Sequence, residues 1–171
     1  MVKDKYKDLC AKTPNIPIFL NPWWMDAVCD KDKWDVVIIE DKEQILACFV
    51  YVLKTAGIWK AIGMPELTPF SGIWVNYPSG QSGNDRISLE KKIFQKIIEQ
   101  LPPHDKFFMR LNHEITNWLP FYWKGYQETT CYTYVLNNLS NLDLIYEGFK
   151  DHIKEHINKA KPLISVSPSD D

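Results

Sequence analysis

The sequence lacks the features that mark a membrane-spanning, secreted or nucleic-acid-binding protein. Its 20 lysines and arginines face 22 aspartates and glutamates, so it has no basic excess to attract a polyanion. It contains no run of 18 apolar residues that could span a bilayer. Residues 1–12 are charged where a signal peptide would be apolar. We therefore expect neither a nucleic-acid partner nor a membrane partner.

Cysteine is scarce and scattered along the chain. Cys10, Cys29, Cys48 and Cys131 include no Cys-x-x-Cys pair. Such spacing is typical neither of a disulfide framework nor of a zinc site. We expect four reduced thiols, no metal ion and a cytoplasmic protein.

A chain of 171 residues has the length of one domain. A domain of this size buries about 70% of the surface that the unfolded chain exposes, which is enough for a sizeable core. We expect a single domain over 1–162, because Pro162 ends the last predicted helix, and a polar, frayed tail over 163–171.

The hydrophobic pattern predicts an α+β order of elements. Predicted helices cover 3–12, 23 to about 30, a segment capped by Ser88 and stopped by Pro102, and a last segment capped by Ser140. Predicted strands cover 34–40, 45–54, 58–62, 72–75, 106–111 and 126–136. Gly72 is expected to mark a bulge or a close backbone approach to a ligand. The order predicts a mixed, mostly antiparallel sheet flanked by helices in three layers.

Large aromatic residues concentrate in 112–136. Aromatic side chains dominate the energetics of cores and interfaces. Five of them are expected to wall a core edge or a pocket: Trp118, Phe121, Tyr122, Trp123 and Tyr126. An aromatic minicore beneath a loop and a substrate-lining wall both fit this pattern, because ligand pockets are apolar walls with a few polar groups.

The same stretch resembles FemAB-like acyltransferases, which are usually built from two GNAT-fold domains in tandem. The resemblance lies in NWLPFYWKGY (117–126), TTCYTYVLNNLS (129–140) and the helix ending INKAK. Upstream it continues in IPIFLNPWWMDAVC (16–29), WDVVII (34–39) and MPELTPFSGIWVNYP (64–78). It covers nearly the whole chain and matches the first of the two domains. It implies a GNAT-like (acyl-CoA N-acyltransferase) fold, and transfer of an acyl or aminoacyl group to an amine acceptor such as a peptidoglycan precursor.

Two departures from the family pattern bear on catalysis. GNAT proteins anchor coenzyme A with a Gln or Arg, two residues, then Gly-x-Gly or Gly-x-Ala, and the nearest turn here, 80–83, has the wrong spacing. The last helix keeps only Lys154, Lys159 and Ala160 where the family carries an Asn and several Arg. No cofactor site is evident, and acetyl-CoA or another acyl donor is implied by the resemblance alone. We expect acceptor binding with weak or no standalone catalysis.

The candidate site residues fall into three groups. His113 is the candidate catalytic residue, as a base or as a group that holds a substrate carbonyl, and a structural role beside the aromatic residues fits it as well. Phe70, Ser71 and Trp74 lie on a segment that resembles the acceptor side of the family's first domain. The remaining substrate-binding candidates come from the aromatic stretch, where Lys124 could meet a carboxylate or phosphate: Tyr122, Trp123, Lys124 and Tyr126.

His152 and His156 form a formal HxxEH pattern on the last helix. No later Glu follows to complete a zinc site, so a solvated helix face is expected.

Two other functions fit the same residues. One is a non-catalytic module that pairs with itself, or with a missing second GNAT domain, through the aromatic wall and the last helix. The other is a self-sufficient small-molecule N-acetyltransferase that uses acetyl-CoA at an atypical site.

Overall fold

The computed structural model of the chain describes residues 2–30, 33–136 and 138–167. The chain divides into two compact units, 1–130 and 131–171, and each is described by itself. The expectation of one domain over 1–162 stays a prediction.

The described residues of the first unit form a five-stranded sheet and four α-helices. The helices are α1 (Val2–Lys12), α2 (Pro22–Val28), α3 (Gly83–Gln100) and α4 (Leu119–Trp123), with a 3-10 turn at Ile18–Leu20. The strands are β1 (Trp34–Asp41), β2 (Gln44–Ala56), β3 (Trp59–Gly63), β4 (Gly72–Val75) and β5 (Lys106–Phe107).

The sheet is mixed and mostly antiparallel, as predicted. Strand β2 pairs antiparallel with β1, β3 and β4, and β3 pairs parallel with β5. Lys42 and Glu43 join β1 to β2 and both take positive φ angles, +46° and +69°. This is the arrangement of a two-residue type I′ turn, whose twist matches that of the strands it connects.

Helices cover both faces of the sheet, which gives the predicted three layers. On the α3 face, Phe49 and Ile73 pack with Phe94 of α3 and Phe121 of α4. On the α1 face, the core contains Tyr6, Leu20, Met25, Trp34 and Val50. Strand β2 serves both cores because successive side chains point to opposite faces. Its consecutive apolar residues, 47–52, are therefore buried on both sides of the sheet.

Gly72 takes a φ of +92° at the start of β4. A Cβ atom here would lie 3.0 Å from Leu111 Cδ2, 3.1 Å from Met109 Cγ and 3.2 Å from Phe49 Cε2. The close approach predicted from the sequence is therefore made to side chains of the core.

The predicted start of α3 was wrong. Ser82, not Ser88, is the N-cap, and its Oγ accepts a hydrogen bond from the Asp85 backbone N–H at 3.2 Å. The first turn contains Gly, Asn and Asp, which are weak helix formers, so the apolar pattern starts later than the helix.

Two strand predictions were wrong. Strand β5 ends at Phe107 and not at 111, although the Phe108 N–H still donates to Ile62 O at 2.9 Å. The predicted strand 126–136 pairs with no other strand within the part of the chain that the structure describes. β-Branched and aromatic residues favour a strand only where a neighbouring strand completes its hydrogen bonds.

The second unit contains α5 (Leu142–Glu147) and α6 (Asp151–Ala160). The continuous last helix predicted from Ser140 was wrong at its start and in its middle. Asn141 is the N-cap, and its Oδ1 accepts from the Leu144 N–H at 3.0 Å. The helix breaks between the two elements because Gly148 has low helix propensity and Lys150 is extended at ψ 150°. Residues 163–167 of the predicted tail are exposed, and 168–171 lie outside the described residues.

Candidate functional site

An open cleft of about 480 Å³ lies beside the N-terminal half of α3. Four residues of α3 line the cleft, and they share one face of the helix because they lie three or four positions apart. Three residues of the loop between β5 and α4 complete the lining. The seven lining residues are Gly83, Arg86, Ile87, Glu90, Glu114, Thr116 and Asn117.

A buried carboxylate forms one wall of this cleft. Glu90 is 4% exposed, and its Oε1 accepts hydrogen bonds from Tyr77 Oη–H at 2.6 Å and from Arg86 Nε–H at 3.2 Å. An unpaired buried charge is strongly unfavourable, whereas a paired and hydrogen-bonded one is tolerated. These two donors therefore hold the Glu90 carboxylate in one orientation.

Arg86 links the Glu90 carboxylate to Tyr77 and to the loop between β5 and α4. Its guanidinium carbon lies 4.0 Å from the centre of the Tyr77 ring, within the range of a cation–π contact. Its second terminal nitrogen donates to the Glu114 backbone carbonyl at 3.3 Å. Burial, and after it the hydrogen bond to Glu90, raises the pKa of Tyr77 far above its usual value. Tyr77 therefore stays a hydrogen-bond donor throughout the neutral range.

Asn117, a residue that lines the cleft, carries a buried donor that lacks a partner among the described residues. Asn117 Nδ2 makes no hydrogen bond with the residues that the structure describes. Its Oδ1 accepts from the Leu119 N–H at 3.3 Å, which fixes the orientation of the amide. A buried donor without a partner costs about 1–3 kcal/mol, so such groups are rare in folded proteins. A ligand with a carbonyl or hydroxyl oxygen could supply the missing bond.

The charge of the cleft favours a cationic ligand. Glu90 and Glu114 bring two carboxylates against the single guanidinium of Arg86. An ammonium group is attracted by this balance, and a pyrophosphate is repelled by it.

The predicted residues of the β4 segment lie in the packing of the sheet. Ser71 is buried, and its Oγ–H donates to Val50 O at 3.3 Å. Trp74 is 7% exposed and belongs to the core on the α1 face. The Phe70 ring meets the Phe19 ring edge to face, with centroids 5.2 Å apart. None of these predicted residues lines the cleft beside α3.

The aromatic stretch divides into buried and exposed parts. Phe121 is buried against Phe94, with ring centroids 6.2 Å apart. Tyr122, Trp123 and Lys124 are exposed. The stretch therefore contains a minicore together with a separate exposed surface.

Tyr126 is half-buried beside a histidine. Its hydroxyl lies 3.1 Å from His104 Nε2, and His104 Nδ1 lies 2.8 Å from the Pro102 carbonyl oxygen. A carbonyl oxygen only accepts, so Nδ1 carries a proton, and in the neutral imidazole Nε2 then accepts from the Tyr126 hydroxyl. Burial raises the pKa of Tyr126.

The histidines singled out from the sequence are exposed. His113 occupies a turn, and the cleft is lined by its neighbour Glu114 instead. His152 and His156 lie on α6, and the described residues contain no group of three or more potential metal ligands.

Sequence reasoning missed the residues that form the cleft. Glu90 precedes Phe94 by one helical turn, on the face that α3 buries. A charged residue on the apolar face of a predicted helix could have identified Glu90 from the sequence. Arg86, one turn earlier, is the partner of Glu90. Nothing in the sequence distinguishes Tyr77 or Asn117 from other polar residues of loops.

No protein-family model and no curated protein sequence matches the chain. Two crystal structures of the BH1408 protein from Bacillus halodurans, a single-residue mutant and a tetramutant, share 17% identity with it. They cover 79% and 80% of this chain and 90% of the BH1408 chain, with TM-scores of 0.33 and 0.34. Likeness at this level carries no information about the function of this protein.

All four cysteines are free thiols. Within the described ranges, every helix is too short or too polar to cross a membrane.

Proposed function

We propose that this chain is a FemAB-like, GNAT-type N-acyltransferase domain that binds an amine acceptor in the cleft beside α3. The resemblance of 16–29, 34–39, 64–78 and 117–140 to that family supports the proposal. The mixed sheet between two helical layers is compatible with it. The observation that carries it is the buried Glu90 carboxylate, oriented by two donors in a cleft of net negative charge.

The acceptor amine approaches as an ammonium ion. The carboxylates of Glu90 and Glu114 attract this charge, and Asn117 Nδ2 donates to an oxygen of the acceptor beside the amine. Acyl transfer then requires loss of the amine proton and stabilisation of the oxyanion on the donor's carbonyl. His113, one residue before Glu114, remains the proposed base.

The chain has fewer features that would bind the acyl donor. The turn before α3 lacks the family's glycine spacing, and the negative cleft does not suit the pyrophosphate of coenzyme A. We therefore assign the chain acceptor binding with weak or no standalone transfer of the acyl or aminoacyl group.

A thermal-shift titration tests this assignment, because a ligand that binds only the folded state raises the melting temperature. The probe is Nα-acetyl-lysyl-D-alanyl-D-alanine, whose side chain ends in an ammonium group. We expect a saturable shift with this peptide and none with its Nα,Nε-diacetyl form. Equal shifts with both peptides would contradict an amine site. A saturable shift with acetyl-CoA would instead favour the self-sufficient acetyltransferase.

One observation favours a second function, that of an interaction module. Among the residues 131–136 and 138–167 of the second unit, none is buried. Helices this short are marginal without a packed apolar face. Large side chains are exposed here, including Tyr132, Tyr134, Leu142, Leu144 and Leu163. Exposed apolar surface of this kind marks a protein interface.

The partner would be a second copy of this chain or a further GNAT domain. Analytical ultracentrifugation of the chain and of its Leu142→Lys variant distinguishes pairing with a second copy from pairing with a further GNAT domain. A dimer mass that falls to the monomer mass in the variant would support self-association. A monomer mass in both proteins would contradict it.

A further inference from the structure

The hairpin that joins β2 to β3 has an unusual tip. Gly57 and Ile58 form its two-residue loop between the paired residues Ala56 and Trp59. Gly57 takes a φ of +62°, which suits the first position of a type II′ turn. Ile58 is 86% exposed and Trp59 is 63% exposed, so two large apolar side chains project at the outermost point of the hairpin.

Cations surround this apolar tip. Lys54 pairs with Ala61, and Ala61 pairs with Lys106, so the three residues form one row across β2, β3 and β5. Trp59 lies on the same face of β3 as Ala61, because alternate residues share a face. The lysines border a shallow hollow of about 290 Å³, which Lys60 also lines.

Two exposed residues, Phe108 and Arg110, follow β5 along the chain. Phe108 and Arg110 follow Lys106 at alternate positions, and the Arg110 guanidinium carbon lies 5.8 Å from the centre of the Phe108 ring. Phe108 is itself exposed. The name hairpin patch is used below for the residues of the tip, the lysines around it and this extension: Lys54, Ile58, Trp59, Lys60, Lys106, Phe108 and Arg110.

The positive charge of the hairpin patch exceeds its negative charge within the described part of the chain. Lys54, Lys60, Lys106 and Arg110 take part in no ion pair there. Asp105 lines the hollow, and its Oδ2 accepts from the Lys60 backbone N–H at 2.8 Å. The patch is therefore locally cationic in a chain of formal net charge −2.

We propose that the hairpin patch docks the protein on the surface of an anionic lipid bilayer. The lysines and the arginine meet headgroup phosphates, while Ile58 and Trp59 enter the boundary between headgroups and acyl chains. Trp suits this boundary because its ring is amphipathic, and basic residues are attracted by the negative surface potential. A soluble anion would satisfy the cations but would leave Ile58 without an apolar environment, so the combination favours a bilayer.

This docking requires no membrane-spanning segment. The expectation of no membrane partner rested on the absence of a long apolar run, which bears on spanning alone. The proposal is independent of acyltransfer, since it uses none of the residues of the cleft.

Vesicle co-sedimentation of the full chain tests the proposal. The vesicles are phosphatidylcholine alone and phosphatidylcholine mixed with phosphatidylglycerol. We expect binding to the mixed vesicles only, and weaker binding as salt is raised, because screening weakens surface electrostatics. Equal binding to both vesicles, or none to either, would overturn the proposal.

Variants separate the two contributions to binding. Lys54→Gln and Lys106→Gln are each expected to lower the partition coefficient about fivefold, and Ile58→Ser together with Trp59→Ser about tenfold or more. Lys96→Gln is the charge control on α3. Leu67→Ser is the apolar control, because Leu67 is as exposed as Ile58 and follows β3 at the end away from the tip. All of these side chains are exposed, so unchanged melting temperatures are expected.

A soluble anion is distinguished by competition. Glycerol phosphate at millimolar concentration is expected to leave vesicle binding largely unchanged. If it abolished binding, or if the tip variants bound vesicles as well as the unaltered chain does, the bilayer assignment would be wrong.

Discussion

Replacing Gly72 with alanine is expected to destabilise the first unit strongly. Gly72 has a φ of +92°, a conformation that residues with a Cβ atom rarely adopt. The backbone term alone costs about 1–2 kcal/mol. The new methyl group would also lie 3.0–3.2 Å from side-chain atoms of Leu111, Met109 and Phe49. Crowding in a packed core typically costs a further amount of about 1–3 kcal/mol.

Gly80→Ala is the matched control for this substitution. Gly80 also has a positive φ, +73°, but no atom lies within 4 Å of the Cβ position. It should therefore lose only the backbone term, about 1–2 kcal/mol. The difference between the two variants isolates the crowding around Gly72.

The assay is urea denaturation followed by far-UV circular dichroism. The free energy of unfolding is extrapolated to water, and the slopes are compared to check that the same surface unfolds. We expect Gly72→Ala to lose about 2–5 kcal/mol, a large share of the 5–15 kcal/mol or so that stabilises a typical domain. Equal losses in the two variants would refute the close packing of β4 against the segment after β5.

Two further predictions concern tyrosine and cysteine. Burial, and after it the charge of Asp35, raises the pKa of Tyr51 to about 12, while an unfolded tyrosine ionises near pH 10. Between these values only the unfolded chain releases the proton, so stability should fall as pH rises, by up to about 1.4 kcal/mol per pH unit. Urea midpoints from pH 9 to 11 or so check this fall, and unchanging midpoints would contradict it. Cys131 is exposed and should react with a thiol reagent in the folded protein, whereas burial raises the pKa of Cys48, which should react only after unfolding. Rapid modification of Cys48 in the native chain, followed by mass spectrometry, would refute its burial.

The sequence predicts the central part of the fold well. Strand β2 is apolar at consecutive positions and rich in β-branched and aromatic residues, which is typical of a strand covered on both faces. Its partners follow from short connections, so the mixed sheet between helical layers was predictable. Helix ends were less predictable, because Ser82 and Asn141 act as caps through local hydrogen bonds that several nearby polar residues could equally have made.

The segment 126–136 shows where strand prediction from sequence fails. Its β-branched and aromatic residues have strand propensity, but a strand requires a neighbour with free hydrogen-bonding groups. Strand propensity depends on the residues of the segment itself, whereas strand pairing depends on distant parts of the chain. The residues of 126–136 therefore predict a strand equally well whether or not a neighbouring strand is present.

The candidate site was largely missed for a related reason. The aromatic residues attracted attention because they are large, yet the cleft is lined mostly by polar residues from two separate segments, α3 and the loop between β5 and α4. Glu90 is marked by its place on the buried face of α3, but Tyr77 meets Glu90, and Asn117 meets the cleft, only through tertiary structure. Proximity of that kind cannot be read from spacing along the chain.

The most direct test of the acceptor site is a nuclear magnetic resonance titration of the nitrogen-15-labelled protein. Nα-acetyl-lysyl-D-alanyl-D-alanine is added while the side-chain signals of Asn117 and Arg86 are followed. Binding in the cleft predicts saturable shifts of the Asn117 amide and of the Arg86 Nε–H, with no such shifts in the presence of the diacetyl peptide. It also predicts that Glu90→Gln, which keeps an acceptor for Tyr77 but removes the charge, weakens binding by about tenfold. Shifts that cluster elsewhere, or equal affinity for both peptides, would contradict an amine acceptor site beside α3.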